Sequence, residues 1–160
     1  MSSNKIFEYY KIALETRNFE IELFWKRSNY FLVLNTLLYI ALFKFNNSSN
    51  YLSLLIIVFG FFVSILWFCV NLGSKFWQIR WEEKLANLEQ HLSSELKLFS
   101  TQKEPFDDVK NNIAKTQYNS FDKIINKLIL KKFSVSRQMI YLSLSFILIW
   151  LLLFIIKIVT

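Results

Sequence analysis

One histidine, one cysteine and two pairs of adjacent carboxylates are the side chains of this sequence that could serve as base, nucleophile, metal ligand or carboxylate dyad. Their spacing argues against each. His91 has no second histidine or cysteine at ligand spacing, so it reads as a surface residue. Cys69 lies inside an apolar run, where it has no partner for an intrachain disulfide and reads as a small buried apolar residue. Glu82-Glu83 and Asp107-Asp108 are sequence neighbours, and neighbours on a helix do not face one another, so neither pair makes a dyad. With two glycines, Gly60 and Gly73, no Gly-rich phosphate loop is available. Arg80 and His91 are too far apart for the Arg–His pair of HEPN-type ribonucleases. The expectation is a protein that is not an enzyme and takes no cofactor or metal.

The polar residues that remain interesting sit among apolar ones. Asn35, Thr36, Ser53, Ser64, Asn71, Ser143 and Ser145 interrupt long hydrophobic stretches. Such groups bond across helices or back to their own backbone, or else they line a weakly polar pore. Asn35 is the strongest candidate, because an amide in hydrocarbon must find a partner. With Thr36, Ser64 and Asn71 it forms the set of candidate pore or subunit-contact positions. Arg17 is also out of place, on the apolar stripe of a helix. It either snorkels to the surface or pairs with a carboxylate further along, Glu82, Glu83 or Glu89.

The elements that must carry these residues are long helices. The chain of 160 residues is 54% hydrophobic and 18% aromatic, with only 2 Gly and 1 Pro, so turns are few and the fold class is all-α. Three apolar runs dominate: Tyr30–Phe45, Tyr51–Leu72 and Met139–Thr160. A 22-residue run makes a helix of roughly 33 Å, enough for a bilayer core. This is an integral membrane protein by composition.

Four segments follow. Residues 1–29 carry an amphipathic helix, with Ile6, Tyr10, Ala13, Leu14, Ile21, Phe24 and Ser28 on one stripe that runs into the first span. Residues 30–72 make a transmembrane hairpin, closed by the link Asn46–Asn50. Its first run is short, and a re-entrant segment is the alternative. Residues 73–138 extend the second helix to about Leu98 as a stalk striped by Phe76, Ile79, Leu85, Leu88, Leu92 and Leu96. A loop or short capped helix fills 100–120. A basic helix at Phe121–Phe133 then sets Lys123, Lys127, Lys131 and Lys132 against an anionic inner leaflet. Residues 139–160 are the third span.

The net charge of +7 is placed by topology. Residues 1–29 hold five Lys/Arg, 73–138 hold twelve, and the link holds none. By the positive-inside rule both basic segments are cytoplasmic and the C-terminus lies outside. This reading disfavours nucleic acid as the partner. No short apolar stretch near the start precedes a small-residue cleavage site, so no signal peptide is expected. An apolar stalk cannot stay bare, so it must meet the N-terminal helix, another copy, or both. Rings of identical subunits would bury it and enclose a central space.

The order Glu8-Tyr-Tyr-Lys11, Glu15-Thr-Arg17, Ser28, Phe31-Leu-Val-Leu-Asn-Thr36 and Ile65-Leu-Trp67, continued by Gly73-Ser-Lys-Phe-Trp77, Trp81-Glu-Glu-Lys-Leu85, Leu88-Glu89, Ser136-Arg137 and Trp150, resembles the RipA-type octameric small membrane proteins of bacteria. The resemblance implies an inner-membrane homo-oligomer. In architecture the chain is also similar to small membrane effectors of anti-phage systems, among them retron-linked two-span proteins and the octameric pore beside some type VI CRISPR nucleases. That likeness implies a pore that depolarises the membrane, gated by a separate cytoplasmic sensor or defence complex. A non-conducting scaffold for a cytoplasmic partner is the competing expectation. A holin-like toxin fits the long cytoplasmic portion less well.

Overall fold

The computed structural model describes residues 3–45, 50–92, 98–99, 110–111, 113, 120–131 and 134–159. Among the described residues the bounded helices are α1 Ser3–Phe45, α2 Asn50–Leu92, α3 Ser120–Ile129 and α4 Val135–Val159. The described residues contain no strand. The all-α class follows from the scarcity of Gly and Pro, which leaves little to interrupt 3.6-residue periodicity. Helices α1, α2 and α4 are each long and apolar enough to cross a membrane.

α1 is helical throughout its 43 residues, so no break separates the amphipathic segment from the first apolar run. α2 is also 43 residues long. It is described as far as Leu92; the expected reach to Leu98 falls on 93–97, outside the described residues, and Leu98–Phe99 form a bend. There the Phe99 N–H donates to Glu89 Oε2 at 2.9 Å, satisfying the amide by a side chain where a helix would use the backbone. α3 is shorter than its basic sequence suggests, ending at Ile129, with Leu130 N bonded to the Asn126 carbonyl as the helix closes. Leu96, Lys132, most of the 100–120 segment and positions 46–49 of the link lie outside the described residues.

Two compact units divide the chain: Met1–Asn18 with Gln78–Ser134, and Phe19–Trp77 with Val135–Thr160. In the first, Tyr10, Ala13 and Leu85 are the buried core, flanked by Leu14, Trp81, Leu88, Leu92 and Phe99. The stalk stripe is thus covered by the chain's own α1 at Leu85, Leu88 and Leu92. In the second, Leu42, Ile56, Ile57 and Trp150 are buried together, with Leu38, Tyr39, Phe61, Leu153 and Phe154 packed around them. There the Ser53 hydroxyl donates to the Phe45 carbonyl at 3.3 Å, capping one of the end carbonyls of α1 that no intrahelical bond can serve.

Buried positions on α2 of the second unit include a run at alternating four- and three-residue steps. The run is Ser53, Ile57, Gly60, Ser64, Trp67, Asn71 and Ser74. With Ile56 and Val63 buried beside it, that run makes a heptad seam, and such a seam winds paired helices with a left-handed twist. The small residues on it let backbones approach closely, as apolar helices in lipid require.

Candidate functional site

Two asparagines tie three helices together in the second unit. Asn35 of α1 and Asn71 of α2 are both fully buried. The Trp150 indole N–H of α4 donates to Asn35 Oδ1 at 2.9 Å. Because an indole N–H only donates, the atom facing it must be the amide oxygen, which fixes the Asn35 rotamer. Asn35 Nδ2 then donates to the Phe31 carbonyl at 2.9 Å. Ser64 Oγ lies 2.9 Å from both Asn35 Oδ1 and the Gly60 carbonyl, sharing its one proton between them. Asn71 does the same work seven residues further along the seam. Its Oδ1 accepts from Ser28 Oγ at 3.3 Å, and its Nδ2 donates to the Met139 carbonyl at 3.1 Å and to Ser143 Oγ at 3.3 Å.

Trp150 is held by shape as well as by its N–H. A Cβ on Gly60 would overlap the six-membered part of the indole, so the absence of a side chain admits the ring. On the other side Tyr39 stacks on it at 4.4 Å between centroids and 4° between planes. Trp67 is equally buried, with Phe31 stacked at 6.3 Å and Phe146 edge-on at 5.5 Å. Its indole N–H has no hydrogen-bond partner. The sequence placed Asn35, Ser64, Asn71 and Ser143 within the membrane and Ser28 on the stripe of the N-terminal helix, but did not show which would meet.

Asn35, Ser64 and Asn71 therefore spend their polar groups inside the subunit. Thr36 is different: it is exposed, and its hydroxyl donates back to the Leu32 carbonyl at 2.9 Å. Asn29, one heptad earlier, is exposed too. Cys69 is exposed rather than buried, on the side of α2 that the seam leaves open to lipid.

In the first unit Arg17 pairs with a carboxylate from α2. Its Nη2 lies 3.2 Å from Glu82 Oε1, and its guanidinium sits 5.4 Å from the Phe99 ring centroid. The two side chains remain 25% and 42% exposed, so the pair contributes little more than about 0–1 kcal/mol. Glu89, by contrast, is buried, and accepts from the Tyr10 hydroxyl at 3.0 Å as well as from Phe99 N. Burial and the Glu89 carboxylate together raise the Tyr10 pKa above its ordinary 10.0. Glu83 is exposed. Along the stalk Phe76 and Ile79 are also exposed, at 61% and 52%. On α3, Ile124, Leu128 and Ile129 are bare beside exposed Lys127 and Lys131, while nothing is described of the Lys123 side chain.

Cross-helix pairs keep one register in each unit. In the first, Tyr10–Glu89 and Arg17–Glu82 are one heptad apart on both helices. In the second, Ser28–Asn71 and Asn35–Ser64 repeat the same step. Among the described residues no group of three or more His, Cys, Asp or Glu side chains is arranged to hold a metal ion.

No curated protein and no solved structure matches the chain. The sequence profile of the octameric membrane protein family matches residues 7–159, nearly its whole length. Helices long enough to span, an interior tied by amides, and that match give one conclusion: the chain belongs to the octameric membrane protein family and is a homo-oligomeric membrane protein.

Proposed function

We propose that the assembled ring conducts ions across the bacterial inner membrane, with α1 lining the path, and that it acts without catalysis. The observation that carries this reading is the division of polar groups in the second unit. Asn35, Ser64 and Asn71 are consumed between helices, whereas Asn29 and Thr36 stay exposed on α1 at heptad spacing. A ring of helices presenting weakly polar positions toward its axis makes a narrow wet path, and copies around an axis multiply each position. The distribution of Lys and Arg orients the subunit with residues 1–29 and 73–138 in the cytoplasm and the C-terminus outside. Depolarisation by such a ring, released by a cytoplasmic sensor, would suit a defence effector against phage.

The test is water access. Thr36→Cys in a Cys69→Ser background is expected to react with a charged, membrane-impermeant thiol reagent, while Leu152→Cys on exposed α4 stays protected. Protection at both positions would remove α1 from the path. The scaffold reading rests on α3, whose bare apolar face and exposed lysines fit the lipid headgroup region and leave the cytoplasmic segment anchored there.

A further inference from the structure

The first unit carries an unfilled groove of about 320 Å³ lined by Tyr9, Ile12, Ala13, Trp81, Lys84 and Leu88. Its walls are apolar except for Lys84, whose ammonium rests 5.1 Å from the Trp81 ring centroid and stays exposed. We infer that this groove receives α1 of the neighbouring copy, with Glu15 of that copy on Lys84 and Glu8 of that copy beside His91. The register of the unit selects those residues. Lys84 stands two positions past Glu82, and Glu15 two before Arg17, the partner of Glu82. His91 stands two positions past Glu89, and Glu8 two before Tyr10, the partner of Glu89. Within the first unit, both exposed carboxylates on α1 are thus level with an exposed cationic or imidazole side chain on α2.

Within one chain these levels bring no ion pair, since Glu8 and Glu15 point away from the seam that joins α1 to α2. Rotation about a ring axis parallel to this α1–α2 pair changes that. It carries one copy onto the next without a shift along the axis, so Glu15 of one subunit arrives at the level of Lys84 on its neighbour. Complementary charges flanking an apolar seam are how coiled helices choose partner and register. The occupant is a second copy because its acidic face matches both the charge and the heptad step of the groove. The inference rests on self-association, not on conduction.

Glu15→Lys and Lys84→Glu, made separately in the full chain, place like charges across every interface of the ring. Each is expected to shift the mass of the detergent-extracted protein from octamer to smaller species, more strongly at low salt than at high salt. The double variant, with the charges exchanged, is expected to restore the octamer. Circular dichroism of the single variants separates loss of assembly from loss of helix. Two results would overturn the inference: octamers from both single variants at low salt, or helical single variants whose combination fails to reassemble. In either case the groove would have to serve a membrane surface or an unrelated protein, and the wild-type octamer would stand unaffected.

Discussion

At the scale of single residues, the two buried tryptophans offer a controlled comparison. Trp150 and Trp67 are both fully buried, yet only Trp150 has a partner for its N–H. Replacing Trp150 by Phe strips a donor from the Asn35 amide and opens space beside Gly60. Asn35 Oδ1 then keeps only the Ser64 proton that it shares with the Gly60 carbonyl, and losing one hydrogen bond costs about 0.5–1.5 kcal/mol in addition to the opened space. Replacing Trp67 by Phe removes a donor that was never satisfied, so the lost volume is offset. Thermal or denaturant unfolding in detergent should therefore rank Trp150→Phe well below Trp67→Phe in stability; equal losses would mean that the Asn35 tie contributes nothing. Tyr10 makes a second prediction. Its pKa is raised in the fold, so its hydroxyl contributes stability fully present below its ordinary 10.0 and lost as pH rises through the higher folded value. An alkaline titration of unfolding should show that loss in the wild type and a shallower one in Tyr10→Phe. The sequence marked Asn35 as an amide needing a partner, gave Asn71 as a pore or subunit-contact candidate, and left Arg17 between snorkelling to the surface and pairing with a carboxylate. It did not mark Trp150 or Tyr10 as the donors, because an aromatic in a hydrophobic run looks like packing until a long-range contact reveals its polar edge.

At the scale of elements, the helices were legible and their contact surfaces only partly so. Apolar length announced three spans, and the stripe from Tyr10 to Ser28 pointed α1 toward α2. Hidden was the heptad step on α2, since inside a uniformly apolar run no polar face marks which side is buried. Small and polar residues along that seam carried the signal instead: Ser53, Gly60, Ser64, Asn71 and Ser74. Beyond the described end of α2 a side-chain acceptor, Glu89, takes the Phe99 N–H, a contact that no local breaker in the sequence announces. The two glycines of α2 test this account in opposite directions. Gly60→Ala forces a methyl into the Trp150 indole and should destabilise by about 1–3 kcal/mol, as overpacking does. Gly73→Ala meets nothing within 4 Å and should gain up to about 1 kcal/mol from helix propensity. Melting temperatures moving in the same direction for both would show that the close approach at Gly60 is not what fits α4 to α2.

At the scale of the whole molecule, much apolar surface remains bare on one chain, and lipid and neighbouring copies divide it between them. Membership of an octameric family states how many copies share it, and the tied interior of each subunit explains how one ring member keeps its shape while its outer faces serve others. The sequence left the stalk stripe to the N-terminal helix, to another copy or to both, and the chain's own α1 packs against Leu85, Leu88 and Leu92. What remains for neighbours is the flank of that pair. Conduction is the central claim. The most direct measurement is ion flux through liposomes containing the purified octamer, with its mass determined in the same preparation and Thr36→Phe measured beside it. The account predicts flux from the intact wild-type octamer and its loss, at unchanged mass, in Thr36→Phe. Intact octamers that pass no ions, or flux untouched by a bulky residue at position 36, would contradict it.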